Sequence, residues 1–209
     1  EVYVSESFLE KCSCREHLEE VGYEVVSDSV FSKISDTCTP QGVLCVLKQF
    51  HYNIEEMLRD KAPLFLLLEN IQDPGNLGTM LRTGEGAGVS GIIMSRDTVD
   101  LYNPKVIRST MGSIYRVPFY YAEDFAAAVH QVQQAGVSVY AAHLRGKNSY
   151  ACQDYTKGTA FLIGNEGNGL REETAELADC YIRIPMEGKV ESLNAAVASS
   201  ILMYEAHRQ

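Results

Sequence analysis

The chain has 209 residues, 45% of them apolar and 22% charged, with a formal net charge of −10 at pH 7. This is the composition of a globular protein with a substantial core, and it excludes a disordered tract or a surface coated in basic residues for nucleic acid. No run of about eighteen apolar residues occurs, which excludes a helical membrane span, and no Lys/Arg-led apolar opening marks a secretory signal.

In chain order, residues 5–20 (SESFLEKCSCREHLEE) read as a helix with Gly22 just beyond it. YEVVS reads as a strand, SDSVFSKIS as a short helix and GVLCVLKQ as a second strand. These first fifty residues are too few for a comfortable domain alone, and the polar stretch 51–62 reads as a linker. From Pro63 the alternation becomes regular. LFLLLEN is a strand, NLGTMLRTGEGA a helix, GIIMS a strand, and PKVIRSTMG a helix with Asn103 as its cap and Pro104 in its first turn. YRVPFY follows as a strand and EDFAAAVHQVQQAG as a helix ending at Gly136. VSVYAAHL, TAFLIG and CYIRIPM are three more strands, LREETAELA is a helix before the last of them, and LNAAVASSILMYEAHRQ is a closing helix. Short apolar strands alternating with helices imply an α/β fold, a parallel sheet with helices on both faces. Ligands in such sheets gather beyond the carboxyl ends of the strands, which singles out loops 69–76, 164–170 and 185–193.

Six cysteines (Cys12, Cys14, Cys38, Cys45, Cys152 and Cys180) form no CxxC pair. They read as reduced structural thiols of a cytoplasmic protein, with Cys45 inside VLCVL as a small core hydrophobe. Cys12-Ser-Cys14 as half of a metal site is the competing reading. The chain begins at Glu1 without Met, so preceding sequence is expected.

Three glycine-rich stretches compete as binding loops. GAGVSG (86–91) has the G-x-G-x-x-G spacing of a dinucleotide site, but that fingerprint must follow a strand and open a helix. Here it follows a helix and leads into a strand. GNEGNGL (164–170) does follow a strand, and its glycines allow close backbone approach to a ligand. Glu166 at its centre repels phosphate and suits a neutral or cationic ligand. DPGNLGTMLRTGEGAG (73–88) places Asn76 at a helix start and Arg82 six residues on, among small and apolar residues. Arg82 is either a functional cation or a structural ion pair with Glu69 or Glu85.

Taken together, D-P-x-N-x-G-x-x-x-R-T (73–83), I-G-N-E-G-x-G-L (163–170) and I-P-M-x-G-x-x-x-S-L-N (184–194) resemble, in order and spacing, the three motifs of the SpoU/TrmH family of RNA ribose 2′-O-methyltransferases. The resemblance runs from about Val26 to Gln209. It implies a deep C-terminal trefoil knot, an exception to ordinary chain topology, in a catalytic domain over 63–209. It also implies that residues 1–50 are the C-terminal part of a small α/β RNA-binding domain, with 51–62 the linker. S-adenosylmethionine (SAM) is the implied methyl donor, with no metal. By position, Gly164, Asn165, Ile184, Met186 and Leu193 are the expected cofactor-binding residues, with His143 near the pocket. Arg82, Glu166, Ser192 and Asn194 match the catalytic positions, with Asn76 as a helper. An arginine whose pKa exceeds about 12 is a poor base at neutral pH, so Arg82 reads as a stabiliser of developing alkoxide charge. Glu166 and Asn194 are expected to position the ribose and Ser192 to fix the helix start.

The implied partners are structured RNA, ribosomal rather than transfer RNA, and a second copy in a homodimer. Arg82, Lys105, Arg108, Arg116, Arg145 and Lys147 are candidates for a basic track on an otherwise acidic protein. Two other classes stay open at this point: a catalytically silent RNA-binding module of the same fold, and a nicotinamide-dependent oxidoreductase built on GAGVSG.

Overall fold

The structure is a computed structural model that describes residues 1–209. It divides into two compact units, residues 1–50 and 51–209. The first unit is a three-stranded sheet in the order β2-β1-β3, with β1 Val2–Ser5, β2 Glu24–Val26 and β3 Val43–Cys45. β1 runs parallel to β2 and antiparallel to β3. Three helices accompany them: α1 Glu6–Lys11, α2 Arg15–Val21 and α3 Asp28–Ile34. Val4, Leu18 and Phe31 form the buried interior. The single helix expected over 5–20 is two, broken at Cys12–Cys14, where the Cys14 N–H is donated to Cys12 Sγ at 3.1 Å instead of continuing the ladder. All six cysteines are free thiols, and Cys45 is exposed, not buried, because β3 is an edge strand.

The second unit opens with α4 Ile54–Met57, whose two named ends are buried, so part of the stretch expected as a linker belongs to a core. The strands β4 Leu64–Leu68, β5 Gly91–Ser95, β6 Phe119–Ala122, β7 Ser138–Ala142, β8 Asn148–Ser149, β9 Thr159–Ile163 and β10 Cys180–Arg183 form one sheet in the order β6-β5-β4-β9-β7-β10-β8. Every neighbouring pair is parallel. The helices are α5 Pro74–Ala87, α6 Pro104–Thr110, α7 Phe125–Gln134, α8 Glu172–Ala175 and α9 Ala195–Arg208. The helix expected over 170–178 is therefore only one turn long.

Alternation along β4 explains the layers. Leu66 and Leu68 join one core cluster with Leu77, Met80, Val106 and Leu202, under α5, α6 and α9. Phe65 and Leu67 join the other with Ile54, Val129, Val132 and Ala175, under α4, α7 and α8. Successive side chains of a strand point to opposite faces, so a run that is apolar throughout must be covered twice. Asp73 caps α5 by accepting the Asn76 N–H at 2.7 Å, Pro74 fills its first turn, and left-handed Gly88 ends it. Gly78 lets α6 lie directly on α5, since a Cβ there would sit 1.8 Å from Ser109 Oγ.

The chain runs β4 to β5 to β6 towards one edge, then crosses back, and β9 closes the gap between β4 and β7. The direction of winding thus reverses between β4 and β9. A crevice at such a reversal, beyond the carboxyl ends of the strands, is where this architecture binds ligands. Loops 69–76 and 164–170 leave those two strand ends.

Candidate active site

Gly164 follows β9 and is buried against the far end of its own loop: a Cβ there would lie 2.2 Å from Gly169 C and Leu170 N. The loop closes on itself through paired backbone bonds between Asn165 and Gly169, 3.0 and 2.9 Å. Asn165 Oδ1 accepts the N–H groups of Gly167 and Asn168, each at 3.0 Å, and its Nδ2 donates to the Asn70 carbonyl at 2.8 Å. Asn70 itself is left-handed, φ 54°, a conformation asparagine tolerates better than most residues.

Glu166 projects from this loop towards the start of α5. Its carboxylate accepts the Gln72 N–H at 3.1 Å, the Asp73 N–H at 3.0 Å and Asn76 Nδ2 at 3.0 Å. Burial pushes the carboxyl up, but these donors outweigh it and hold its pKa below the usual value. Asn76 Oδ1 in turn accepts Asn194 Nδ2 at 3.0 Å. Asn194 Oδ1 accepts the Ala196 and Val197 N–H groups at 2.9 and 3.2 Å, capping α9. A single chain of polar contacts, Glu166–Asn76–Asn194, therefore ties together all three motifs. The cap of α9 is Asn194 and not Ser192, which is exposed and makes no hydrogen bond, because Asn194 occupies the position whose side chain reaches the first free N–H groups.

Two cavities flank Glu166. One, of about 320 Å³, is lined by Gly164, Asn165, Ile184, Met186, Leu193 and His143, all six of the residues expected at the cofactor. Leu144, Leu170 and Ala198 complete its apolar surface. Leu170 closes the second motif, whereas Leu144 beside His143 and Ala198 one turn into α9 belong to no motif, and no pattern of their own singles them out. The other cavity, about 660 Å³ and open to solvent, is polar: Gln72, Asp73, Asn76, Glu166 and Asn194 line it. Gln72 and Asp73, within the loop singled out at 69–76, are not among the expected site residues, because what they give Glu166 is backbone N–H, which any such residue carries. The smaller, more apolar cavity suits a cofactor better despite its size, since such sites are mostly apolar with a few placed polar groups. Glu191 and Glu166 at its rim suit a cationic sulfonium.

Burial lowers the His143 pKa, with Arg145 adding to the effect and Glu172 opposing it. His143 Nδ1 accepts the Arg145 N–H at 3.1 Å, which leaves the proton on Nε2, and the ring packs on Tyr181 at 5.1 Å between centroids.

Arg82 stands apart. It is exposed on α5, lines neither cavity, and has no ion-pair partner: Glu85 pairs with Arg116 and Glu69 with Arg171. The structural ion pair considered for it does not form. Of the expected basic track, Arg116 and Arg145 are neutralised by Glu85 and Glu172, while Arg82, Lys105, Arg108 and Lys147 are exposed and unpaired. α6 packs on α5, which sets Lys105 and Arg108 on the helix beside that of Arg82. GAGVSG falls where α5 ends and β5 begins, so no strand precedes Gly86 and the nicotinamide reading fails. No group of three or more His, Cys, Asp or Glu side chains is placed to hold a metal.

Residues 63–204 match the SpoU rRNA methylase family model. The chain is 35% identical over 180 residues to the 23S rRNA (guanosine(2553)-2′-O)-methyltransferase RlmP of Bacillus subtilis (strain 168), covering 86% of this chain and 70% of that one. Among solved structures, the AdoMet-bound rRNA methyltransferase of Sinorhizobium meliloti superposes with a TM-score of 0.83 at 33% identity, covering 99% of this chain and 79% of that one. The SpoU methyltransferase AviRb of Streptomyces viridochromogenes, solved with AdoMet, gives 0.87 at 27% identity, over 100% and 82% of the two chains.

Proposed function

The chain belongs to the SpoU rRNA methylase family and is a SAM-dependent RNA 2′-O-methyltransferase, and from that premise we propose how its residues divide the work. The observation that carries the division is the Glu166–Asn76–Asn194 relay between the two cavities.

SAM would be held in the apolar cavity by the backbone of Gly164, Ile184 and Leu193 and the side chains of Met186 and Leu193; the tight cradle at Gly164 fits a ligand that approaches backbone closely. When bound, SAM supplies an electrophilic methyl group. The chain must bring a ribose 2′-oxygen in line with it, keep water away from the methyl group, and stabilise the charge that develops as the hydroxyl proton passes to water in the open polar cavity. The ribose enters through the open polar cavity, against the shared wall of Asn165 and Glu166. Glu166 is ionised and already engaged by three donors, so it fixes the entrance and is not the proton acceptor. Asn76 and Asn194 hold the starts of α5 and α9 in register. Ser192, exposed and without an internal partner, is free to bond the ribose.

Arg82 supplies positive charge to the developing alkoxide. Since it lines neither cavity of its own chain, its role requires a second copy, and a homodimer is part of this proposal. Support comes from α9, which packs on α5: Ser200 Oγ donates at 3.4 Å to Oγ1 of Thr83, the residue after Arg82, and Val197 and Tyr204 of α9 are exposed. The deep knot is likewise proposed. β10 lies two strands from β9, yet α9 packs on α5, β4 and β9. Residues 184–194 must therefore return across the sheet end past the segment between β7 and β9, and threading through that segment is the reading the family supports. Residues 1–50 act as part of an RNA-binding domain, the target is ribosomal RNA, and the enzyme works in the cytoplasm. No helix is long and apolar enough to cross a membrane.

The test is transfer of labelled methyl from SAM to ribosomal RNA fragments, followed by alkaline hydrolysis. An alkali-resistant dinucleotide carrying the label is expected, because a 2′-O-methyl group blocks cleavage. Label on a base would overturn the reaction assignment. Saturable binding of RNA and SAM without transfer would leave a silent binding module.

A further inference from the structure

Glu69 is the first residue beyond β4, only 1% exposed, and it lines neither cavity. Its carboxylate accepts the Arg171 backbone N–H at 2.8 Å, the Thr174 hydroxyl, and, at 3.5 Å, Arg171 Nη1. Arg171 also pairs with Asp97, which accepts the Ser95 hydroxyl, and Ser95 Oγ accepts the Asn70 N–H at 2.8 Å. These contacts all converge on one place. Glu69 grips residues 171–174, where the glycine loop leaves, while its neighbour Asn70 grips Asn165, where that loop enters. The two ends of the loop are thus held by two consecutive residues of β4's exit.

A carboxylate taken out of water is costly unless it is well hydrogen-bonded, and an apolar side chain could fill the same space. Its partners lie in a single short segment, 102 to 105 residues away. What the arrangement secures is the shape of the loop. We propose that Glu69, acting through Arg171 and Thr174, is a positioning residue for the methyl donor: it sets the conformation of loop 164–170, and through it the affinity for SAM, without touching the ligand. The inference rests on the assignment of the apolar cavity to SAM.

Glu69→Gln keeps the shape but puts an NH₂ group where an acceptor stood, and removes the charge facing Arg171. Thr174→Val keeps the volume and deletes one bond, a milder change should the first variant fold poorly. SAM binding is measured by calorimetry below the melting temperature of each variant, with kcat and both KM values from steady-state methylation. Glu69→Gln should weaken SAM about tenfold, and Thr174→Val in the same direction by less, the scale of one charge-assisted hydrogen bond. KM for SAM should rise with it, while kcat at saturating SAM and KM for RNA stay within about twofold, since the loop regains its shape once the ligand is bound. A merely structural role predicts lower melting temperatures with unchanged affinity. Wild-type affinity in Thr174→Val, or in both variants, overturns the inference whatever happens to stability. Failure of the wild-type protein to bind SAM at all would instead overturn the cavity assignment.

Discussion

Loops 164–170 and 185–193 both line the cavity proposed for SAM and differ in how they are held. The first is fastened by a backbone bridge, by Asn165 accepting two of its own N–H groups, and by Glu166 reaching α5. Residues 185–193 make no hydrogen bond within the chain, and all but Met186 and Leu193 are exposed. One wall is prefabricated, and the other ends in a fixed point, the Asn194 cap of α9. A preformed wall lowers the ordering cost of binding, while an unbonded one leaves part of that cost to the ligand. The cofactor is therefore expected to complete the second wall and merely to fit the first.

Glycine substitutions test that contrast with the largest effect. Gly164→Ala drives a Cβ to within 2.2 Å of backbone atoms, which cannot move without opening the Asn165–Gly169 bridge. Overpacking of this kind costs about 3 kcal/mol or more, roughly a hundredfold in SAM affinity if the strain falls on the loop. In the opposite wall, a Cβ added at Gly188 would meet nothing within 4 Å. Gly188→Ala should leave both melting temperature and SAM affinity near wild type, a surface change of no more than about 0.5 kcal/mol. Calorimetry and melting curves on the two variants decide; equal losses would mean the walls are equally ordered.

Of similar size is the effect at Arg82, which belongs to neither wall. Arg82→Ala should reduce single-turnover methylation about a hundred- to a thousandfold, the cost of losing one preorganised donor at a developing oxyanion. SAM affinity should not change, because Arg82 lines no cavity of its own chain. Arg82→Lys should recover little, since a point charge does not reproduce a planar fork. Near-wild-type turnover in Arg82→Ala would remove it from the reaction.

Glu166 joins the prefabricated wall to α5, and its contribution is pH-dependent. Its folded-state pKa is depressed, so the stability it adds is present above the ordinary glutamate value, near 4.3, and is lost as pH falls through the lower folded value. Glu166→Gln should lower stability at neutral pH by about 1 kcal/mol, a figure kept small because the side chain is partly exposed. The gap between wild type and variant should narrow on acidification below about pH 4. A gap that stays constant from neutral pH down to about pH 3 would show that the carboxylate charge is not what holds α5.

Much of this was legible in the residues. β4, β5 and β9 are short apolar runs bounded by polar loops, and all six expected cofactor residues line one cavity. Strand order was not legible, because periodicity says nothing about which parallel neighbour a strand selects. Nor was β1, which runs straight into α1 with no turn residue to separate them, nor β8, whose two residues leave no pattern. The Glu69–Arg171 pairing spans 102 residues and depends wholly on the tertiary fold. The exchange of cap between Ser192 and Asn194 has a different cause: both are good capping types, and only the backbone turn into α9 selects one.

The smallest predicted effect is the most direct reading of the open wall. Lys189 lies in the middle of 185–193, exposed and without an internal partner, whereas Arg171 is bound to Glu69 and Asp97; because Glu172 and Glu173 slow trypsin at Arg171, each rate is taken relative to that of the same bond in the unfolded chain. In a limited digest without ligand, cleavage after Lys189 should precede cleavage after Arg171, because proteolysis tracks the population of locally open states. If SAM binds only the ordered form of the loop, its presence at about twice its Kd should slow the Lys189 cut by up to about threefold. The Arg171 cut should respond less, because its segment is already closed in the free protein. Mass spectrometry of the early fragments resolves the two sites in one experiment. Equal rates at Lys189 and Arg171 without SAM would mean that the hydrogen bonds of the glycine loop confer no local stability beyond that of its neighbour. Early cutting at Lys189 that SAM does not slow would mean that the loop stays open in the complex, leaving the glycine loop and the α9 cap to hold the cofactor alone.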